Sequence, residues 1–101
     1  MALTSELSED KTVLTIELDK TFDFSKVQDF KQAYENTTSI LETVVIDLRE
    51  TDYMDSSALG MLLNMQKVLA NHVTSFQIIN CRPQIQKVLK ISRFDKKFEI
   101  E

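Results

Sequence analysis

The stretch from residue 43 to residue 65 constrains the fold of this chain more than any other. It opens on an apolar, β-branched run at 44–48 (Val-Val-Ile-Asp-Leu), which is typical of a strand covered on both faces. From Ala58 the apolar residues follow the period of a helix. The intervening Asp-Ser-Ser at 55–57 offers several good helix N-caps in a row. This arrangement predicts small hydroxyls at the carboxyl end of a sheet, where open α/β sheets carry their sites.

Glycine usage restricts what that helix start can bind. A nucleotide-binding loop needs glycines so that backbone amides can approach phosphate closely. The whole chain has one glycine, Gly60, and it falls inside the predicted helix. A phosphate attached to one of the serines therefore fits better than a bound nucleotide.

Length and charge narrow the possibilities further. The 101 residues are enough for one domain, spanning 1–101. The net charge of −4 argues against nucleic acid as the main partner. The amino-terminal residues lack the features of a signal peptide, and no apolar run is long enough for membrane insertion. The single cysteine, Cys81, has no metal-ligand spacing around it. We expect a monomeric cytoplasmic protein with no metal and no cofactor.

The rest of the chain alternates strands and helices. Further strands are predicted at 4–7, 12–18, 74–80 and 97–100. One helix is predicted to begin between Asp23 and Ser25, either of which is a good cap, and to end at 36–38. Another begins at Pro83. The order β-β-α-β-α-β-α-β predicts a single α/β domain, a mixed and mostly parallel sheet with helices packed on it.

The central helix has an unusually wide apolar surface. At about 100° per residue, its apolar side chains cover roughly 220°, more than the stripe of an ordinary surface helix. One interpretation is a helix wedged deeply against the sheet. The other is that Met61 or Leu63 stays partly exposed as a docking patch, where Gly60 allows a partner to come close.

Residues 44–63 also resemble the signature of a known family. The sequence Val-Val-Ile-Asp-Leu-Arg-Glu-Thr-Asp-Tyr-Met-Asp-Ser-Ser-Ala-Leu-Gly-Met-Leu-Leu is similar to that of the STAS family, the bacterial anti-sigma-factor antagonists. Similarity extends to Phe22-Asp23, to the turn at 80–83 and to the closing segment 91–100. The chain departs from the family at Ala58, where many members have glycine, and at Arg93, where a glycine usually ends the third helix.

The resemblance implies partner switching. In this family the serine after the motif's aspartate is phosphorylated by a serine kinase that is often also the anti-sigma factor. The phosphorylated form is released, and a metal-dependent serine phosphatase restores the original state. By motif position the phosphorylated residue is Ser56, with Ser57 as the alternative and as a cap-like neighbour, and Asp55 completes the switch turn. The partner-binding surface is expected at the start of the central helix, at Ala58, Gly60, Met61 and Leu63.

The same residues admit plainer interpretations. On residue chemistry alone Ser56 is better explained as a helix cap, and only the surrounding motif favours phosphorylation. Asp55 is either a turn residue or helix cap, or a group that orients the Ser56 hydroxyl or helps the kinase's metal. Asp47, in a buried strand, is expected to accept hydrogen bonds from turn amides and not to act as a catalytic acid. The only histidine, His72, lies far along the helix from Ser56, so no hydrolytic triad is available. We therefore expect a substrate and ligand of enzymes, not an enzyme.

Two other function classes fit the same fold. One is a STAS subunit of a lipid or anion transport complex, which docks on an ATPase without serine phosphorylation. The other is a plain interaction domain that has lost its switch, and the intact Asp-Ser-Ser at 55–57 argues against it. The downstream target, a sigma factor or another regulated protein, stays open at this point.

Overall fold

The computed structural model describes residues 3–35 and 40–101. Along the chain the elements are β1 (Thr4–Leu7), β2 (Val13–Glu17), β3 (Thr21–Phe22), α1 (Val27–Glu35), β4 (Thr43–Asp47), β5 (Tyr53–Met54), α2 (Ser56–Leu69), β6 (Ser75–Ile79), α3 (Pro83–Ile91) and β7 (Glu99–Ile100). Single-turn 3₁₀ helices at Phe24–Lys26 and Phe94–Lys96 precede α1 and β7. The predicted β-β-α-β-α-β-α-β order is confirmed, with the two-residue strands β3 and β5 in addition.

Five strands form the main sheet, in the spatial order β1-β2-β4-β6-β7. Only β1 runs antiparallel to its neighbour, and the pairs β2–β4, β4–β6 and β6–β7 are parallel. The sheet is therefore mixed and mostly parallel, as predicted. The short strands β3 and β5 pair separately and in parallel.

The three helices pack on one face of this sheet. Alternate strand residues point to that face and form its buried floor, namely Leu14, Ile16, Val44, Ile46, Phe76 and Ile78. Buried side chains from each helix, including Phe30, Leu62 and Leu89, belong to the same hydrophobic cluster. The arrangement follows from handedness, because the chain crosses the sheet in one direction and right-handed crossovers then place every helix on the same side.

The prediction that the central strand is covered on both faces is confirmed as burial, since its side chains from Val44 to Asp47 are buried, although the helices lie on one face only. Val45 points away from the helices and lies outside the hydrophobic cluster, although it is only 8% exposed. Its cross-strand neighbours are Thr15 and Gln77, both half-buried. Val45 is apolar like Val44 and Ile46 because its central place in the sheet hides it between neighbouring side chains, and not because helices cover it.

The start of α1 lies close to its predicted position. Asp23 caps the 3₁₀ turn Phe24–Lys26 that runs into α1, and its carboxylate accepts the Ser25 amide at 3.0 Å. The hydrogen bonds from the Ser25 hydroxyl and amide lower the pKa of Asp23. The predicted helix end at 36–38 lies outside the described residues.

Each of the two interpretations of the wide apolar surface of α2 is correct in part. Ala58, Leu62 and Met65 are fully buried, which fits a helix wedged deeply against the sheet. Leu63 and Val68 are 41% and 52% exposed, so part of the apolar surface still faces solvent. No helix in the described ranges has the length and apolar character needed to cross a membrane.

Candidate functional site

Ser56 is the first residue of α2 and is exposed. Asp55 is the N-cap of this helix. Its extended backbone (φ −114°, ψ −174°) leads the chain into the helix, and its carboxylate accepts the Ala58 amide at 3.2 Å. The cap-like role predicted for Ser57, and considered for Ser56, therefore belongs to Asp55. Within the described ranges, neither serine hydroxyl makes a hydrogen bond to another residue, so Ser56 presents a free hydroxyl at the helix start.

One exposed stripe of α2 begins at Ser56. Residues spaced by three or four positions lie on the same face of a helix, which places Gly60 and Leu63 beside Ser56. Gly60 is exposed, and a Cβ built there would meet nothing within 4 Å. The fold itself therefore does not require glycine at this position. We call Ser56, Gly60 and Leu63 the switch stripe.

Two of the predicted partner-binding residues expose little or no surface, although Met61 lines a shallow groove together with Ser57 and Gly60. Ala58 is fully buried and Met61 is 8% exposed. The reason is helix geometry, because Ala58 lies two positions, or about 200°, from Ser56 and so faces the sheet. Of the two alternatives for an exposed patch, Leu63 is the exposed one and Met61 packs into the core.

An exposed aromatic residue beside this stripe was missed by the sequence analysis. Phe24 is 70% exposed, whereas the other five phenylalanines are buried. It lines a shallow groove of about 340 Å³ with Val27 and with α2 residues that include Ser57 and Gly60. No sequence signal separates Phe24 from the core phenylalanines, since its exposure depends on the 3₁₀ turn before α1.

The turn before Ser56 is held by the β3–β5 pair. The Asp52 amide donates to the Lys20 carbonyl at 3.0 Å, and the Asp55 amide donates to the Phe22 carbonyl at 3.4 Å. The buried Thr51 hydroxyl donates to the Asp19 carbonyl at 2.7 Å. The segment that follows β2 thus fixes where the chain turns into α2.

The nearly buried Lys26 fixes the segment between β2 and β3, which holds the turn before Ser56. The Lys26 ammonium donates to the Thr21 carbonyl at 2.9 Å. It also lies 3.0 Å from Asp19 Oδ1, an ion pair whose angle falls short of a hydrogen bond. A buried ammonium is costly unless it is paired, so these contacts keep Lys26 and the β2–β3 connection in one arrangement.

Asp47 has the structural role that was expected for it. It is 7% exposed, and its Oδ1 accepts the Arg49 amide at 3.0 Å and the Asn80 side-chain amide at 3.1 Å. These bonds join the carboxyl ends of β4 and β6.

Burial, with a smaller contribution from the Asp47 charge, raises the pKa of Cys81 to about 11, so this thiol stays protonated at neutral pH.

Groups for acid–base chemistry do not gather around Ser56. His72 follows the other end of α2. Asp55 uses its carboxylate as the helix cap. Within residues 3–35 and 40–101, no cluster of three or more His, Cys, Asp or Glu side chains has the arrangement of a metal site. What the site offers chemically is a free hydroxyl at a helix start, beside an exposed stripe.

Comparison with known proteins finds relatives of the whole chain. The sequence model of the STAS domain family matches residues 4–101. A STAS-domain containing protein of Pseudomonas aeruginosa (strain UCBPP-PA14) is 41% identical over 100 residues, which cover 99% of each chain.

Solved structures share the fold at lower sequence identity. An anti-sigma-factor antagonist (STAS) domain protein from Planctomyces limnophilus has a TM-score of 0.81 at 16% identity, over 99% of this chain and 89% of that one. The anti-sigma factor antagonist SpoIIAA in its unphosphorylated form has a TM-score of 0.72 at 18% identity, over 99% and 87%. A sulfate transporter family protein from Wolinella succinogenes has a TM-score of 0.75 at 12% identity, over 90% and 73%.

Proposed function

Since the chain belongs to the STAS domain family, we propose that it is a phosphorylation switch of the anti-sigma-factor-antagonist type. Its unphosphorylated form binds a regulatory partner, an anti-sigma factor or serine kinase. Phosphorylation of Ser56 releases that partner, and a serine phosphatase resets the protein. The observation that carries the proposal is the free, exposed hydroxyl of Ser56 at the head of the switch stripe.

The position of Ser56 makes a phosphate tolerable to the fold but not to an interface. A phosphoserine adds a charge of about −1.5 to −2. The helix N-terminus stabilises a nearby anion by about 0.3–1 kcal/mol. The Asp55 carboxylate, directly before Ser56, opposes the phosphate by up to about 3 kcal/mol per unit charge at an effective dielectric near 20. The two effects are comparable once solvent screens the charges, so we expect α2 to persist after phosphorylation. Burying the same charge unpaired in an interface costs several kcal/mol, and about 4 kcal/mol weakens affinity roughly a thousandfold. The phosphate therefore acts on binding more than on stability.

Ser56 receives the phosphate in this proposal and performs no chemistry of its own. A catalytic serine needs a base within hydrogen-bond reach of its hydroxyl. The single histidine follows the far end of α2, and the Asp55 carboxylate is engaged with the Ala58 amide. The protein is thus a substrate and ligand of its kinase and phosphatase.

The test is phosphorylation and binding by matched serine variants. The protein is incubated with ATP and its candidate kinase, and the phosphate is located by mass spectrometry. Ser56→Ala should resist the kinase and keep the partner, whereas Ser56→Asp should fold normally and lose the partner, as measured by calorimetry and thermal melts. Ser57→Ala is the control and should behave as the wild type. Equal affinity of the two Ser56 variants would refute the proposal, and phosphate found only on Ser57 would move the site by one residue.

A transport role is the second candidate, and the fold shared with a transporter-family protein supports it. In that role the domain docks on an ATPase, and no phosphate is added to Ser56. Binding to the ATPase would then be the same for Ser56→Ala and Ser56→Asp, and incubation with kinase and ATP would leave the protein unmodified.

A further inference from the structure

Charge is segregated along this chain. Residues 82–97, which cover α3 and the following 3₁₀ turn, contain six of the twelve lysines and arginines but only one of the sixteen acidic residues. All six cations are exposed, and within the described ranges none of them forms an ion pair with a carboxylate. The six are Arg82, Lys87, Lys90, Arg93, Lys96 and Lys97, and we call them the basic surface. Arg82 also donates to the Arg49 carbonyl at 3.4 Å, and Lys96 and Lys97 line a groove that includes Asp95 and Glu99.

The outward face of α3 combines these cations with aliphatic side chains. Ile85 and Leu89 point to the core and are buried. Lys87 lies on the opposite side, within about 60° of both Lys90 and Ile91 at 100° per residue. Ile91 is 71% exposed, and Val88, at the margin of the same face, is 41% exposed. The helix thus presents a basic face with apolar side chains between the charges.

We propose that the basic surface binds the surface of an anionic lipid bilayer. Lysines and arginines clustered on an amphipathic helix are attracted to acidic headgroups, and each cation near such a surface contributes roughly a fivefold gain in affinity. Aliphatic side chains between them enter the boundary between headgroups and acyl chains. This proposal does not rest on the phosphorylation of Ser56.

The shape of the surface favours a bilayer over other acidic partners. A peptide usually docks in a groove or on a strand edge, whereas the outward face of α3 is a convex helix. Nucleic acid would satisfy the cations but would leave the aliphatic Ile91 without a function. The acidic remainder of the chain does not prevent adsorption, because the protein measures 33 × 30 × 21 Å and charges further than about 10 Å are largely screened at 0.1 M salt.

The test is sedimentation of the full chain with vesicles. One set is phosphatidylcholine with phosphatidylglycerol, and the other is phosphatidylcholine alone. We expect binding to the anionic vesicles only, with a loss when salt is raised from about 0.05 M to about 0.5 M. The double variant Lys87→Gln/Lys90→Gln should bind about twentyfold more weakly. The control Lys31→Gln/Lys67→Gln removes two exposed lysines from α1 and α2, of which Lys31 is paired with Glu35, and should change binding less than about threefold.

Two further variants decide between lipid and a general attraction to polyanions. Ile91→Ser should weaken vesicle binding while leaving the charge unchanged, and Lys96→Gln/Lys97→Gln should weaken it without altering α3. Equal binding to both vesicle types would overturn the proposal. So would equal losses in the Lys87/Lys90 variant and its control. Binding to duplex DNA or polyglutamate as tight as to vesicles, and insensitive to Ile91→Ser, would assign the surface to another polyanion.

Discussion

Gly60 lowers the helix propensity of α2 without serving the fold. A Cβ at this position would meet nothing within 4 Å, and the backbone is not in the left-handed region. Gly60→Ala should therefore raise the free energy of unfolding by up to about 1 kcal/mol, measured by urea denaturation. Gly60→Gln should be at least as stable as the wild type, for the same reason, but should bind the regulatory partner more weakly, because it fills the middle of the switch stripe.

The control for this prediction lies on another helix. Lys87→Gln changes an exposed residue of α3, outside the switch stripe, and should affect neither stability nor partner binding. A Gly60→Gln protein that unfolds, or one that binds its partner with unchanged affinity by calorimetry, would contradict the docking role of the stripe.

The sequence could locate the switch turn but could not assign its caps. Asp55, Ser56 and Ser57 are all good N-caps, so composition alone does not say which one ends up in the extended backbone before the helix. The choice is made by tertiary contacts, above all the Asp55 amide bonded to the Phe22 carbonyl. The exposed Phe24 was unpredictable for a similar reason, because periodicity assigns no face to a residue in a 3₁₀ turn.

Arg93 occupies a backbone conformation that suits glycine. It has φ 64° and ψ 29°, just after the Ser92 cap that ends α3. A residue with a Cβ loses roughly 1 kcal/mol in the left-handed region, and glycine does not. Arg93→Gly should therefore raise the free energy of unfolding by about 0.5–1 kcal/mol in urea denaturation. The family pattern, which usually has glycine here, indicated this position before the structure did.

A neighbouring substitution separates this effect from a general change in flexibility. Ser92 has φ −81°, which any residue adopts without strain. Ser92→Gly should lower stability, because glycine there gives more freedom to the unfolded chain and relieves nothing in the folded one. If both glycine variants shift stability in the same direction, strain at Arg93 is not the cause.

The strands of the main sheet were predicted, and the two short strands outside it were not. β1 was placed at its observed bounds, and β2 and β6 within one residue at each end. The strands β3 and β5 went unnoticed because two residues carry no measurable alternation. They are nevertheless the elements that clamp the turn before Ser56. The two strands that position the turn before Ser56 thus have the weakest signal in the sequence.

The one-sided layering of the molecule can be tested with two adjacent residues of β6. Phe76 faces the helices, is 7% exposed and lies 5.8 Å from the Phe98 ring centroid. Gln77 faces the uncovered side and is half-buried. Phe76→Ala should lower the free energy of unfolding by about 3–5 kcal/mol, since it leaves a cavity in the core. Gln77→Ala should change it by less than about 1 kcal/mol.

Urea denaturation of both variants gives the comparison. Losses of similar size would mean that a second layer covers the face of Gln77 and that the helices do not account for all of the core. The sequence predicted the mostly parallel sheet correctly from the alternation of elements, and the run at 44–48 is buried as predicted, but the run did not say that helices would cover only one face. A central strand is apolar whether one or two layers cover it, so this question needed the three-dimensional structure.

The five strands of the main sheet occur in the same order in space as along the chain. A polypeptide that emerges from the ribosome amino end first can therefore pair β1 with β2, add β4 to the free edge, and then add β6 and β7 in turn. No late strand has to insert between two that are already bonded. Each growing edge is extended by the next strand to be synthesised, so the direction of translation and the direction of sheet assembly coincide.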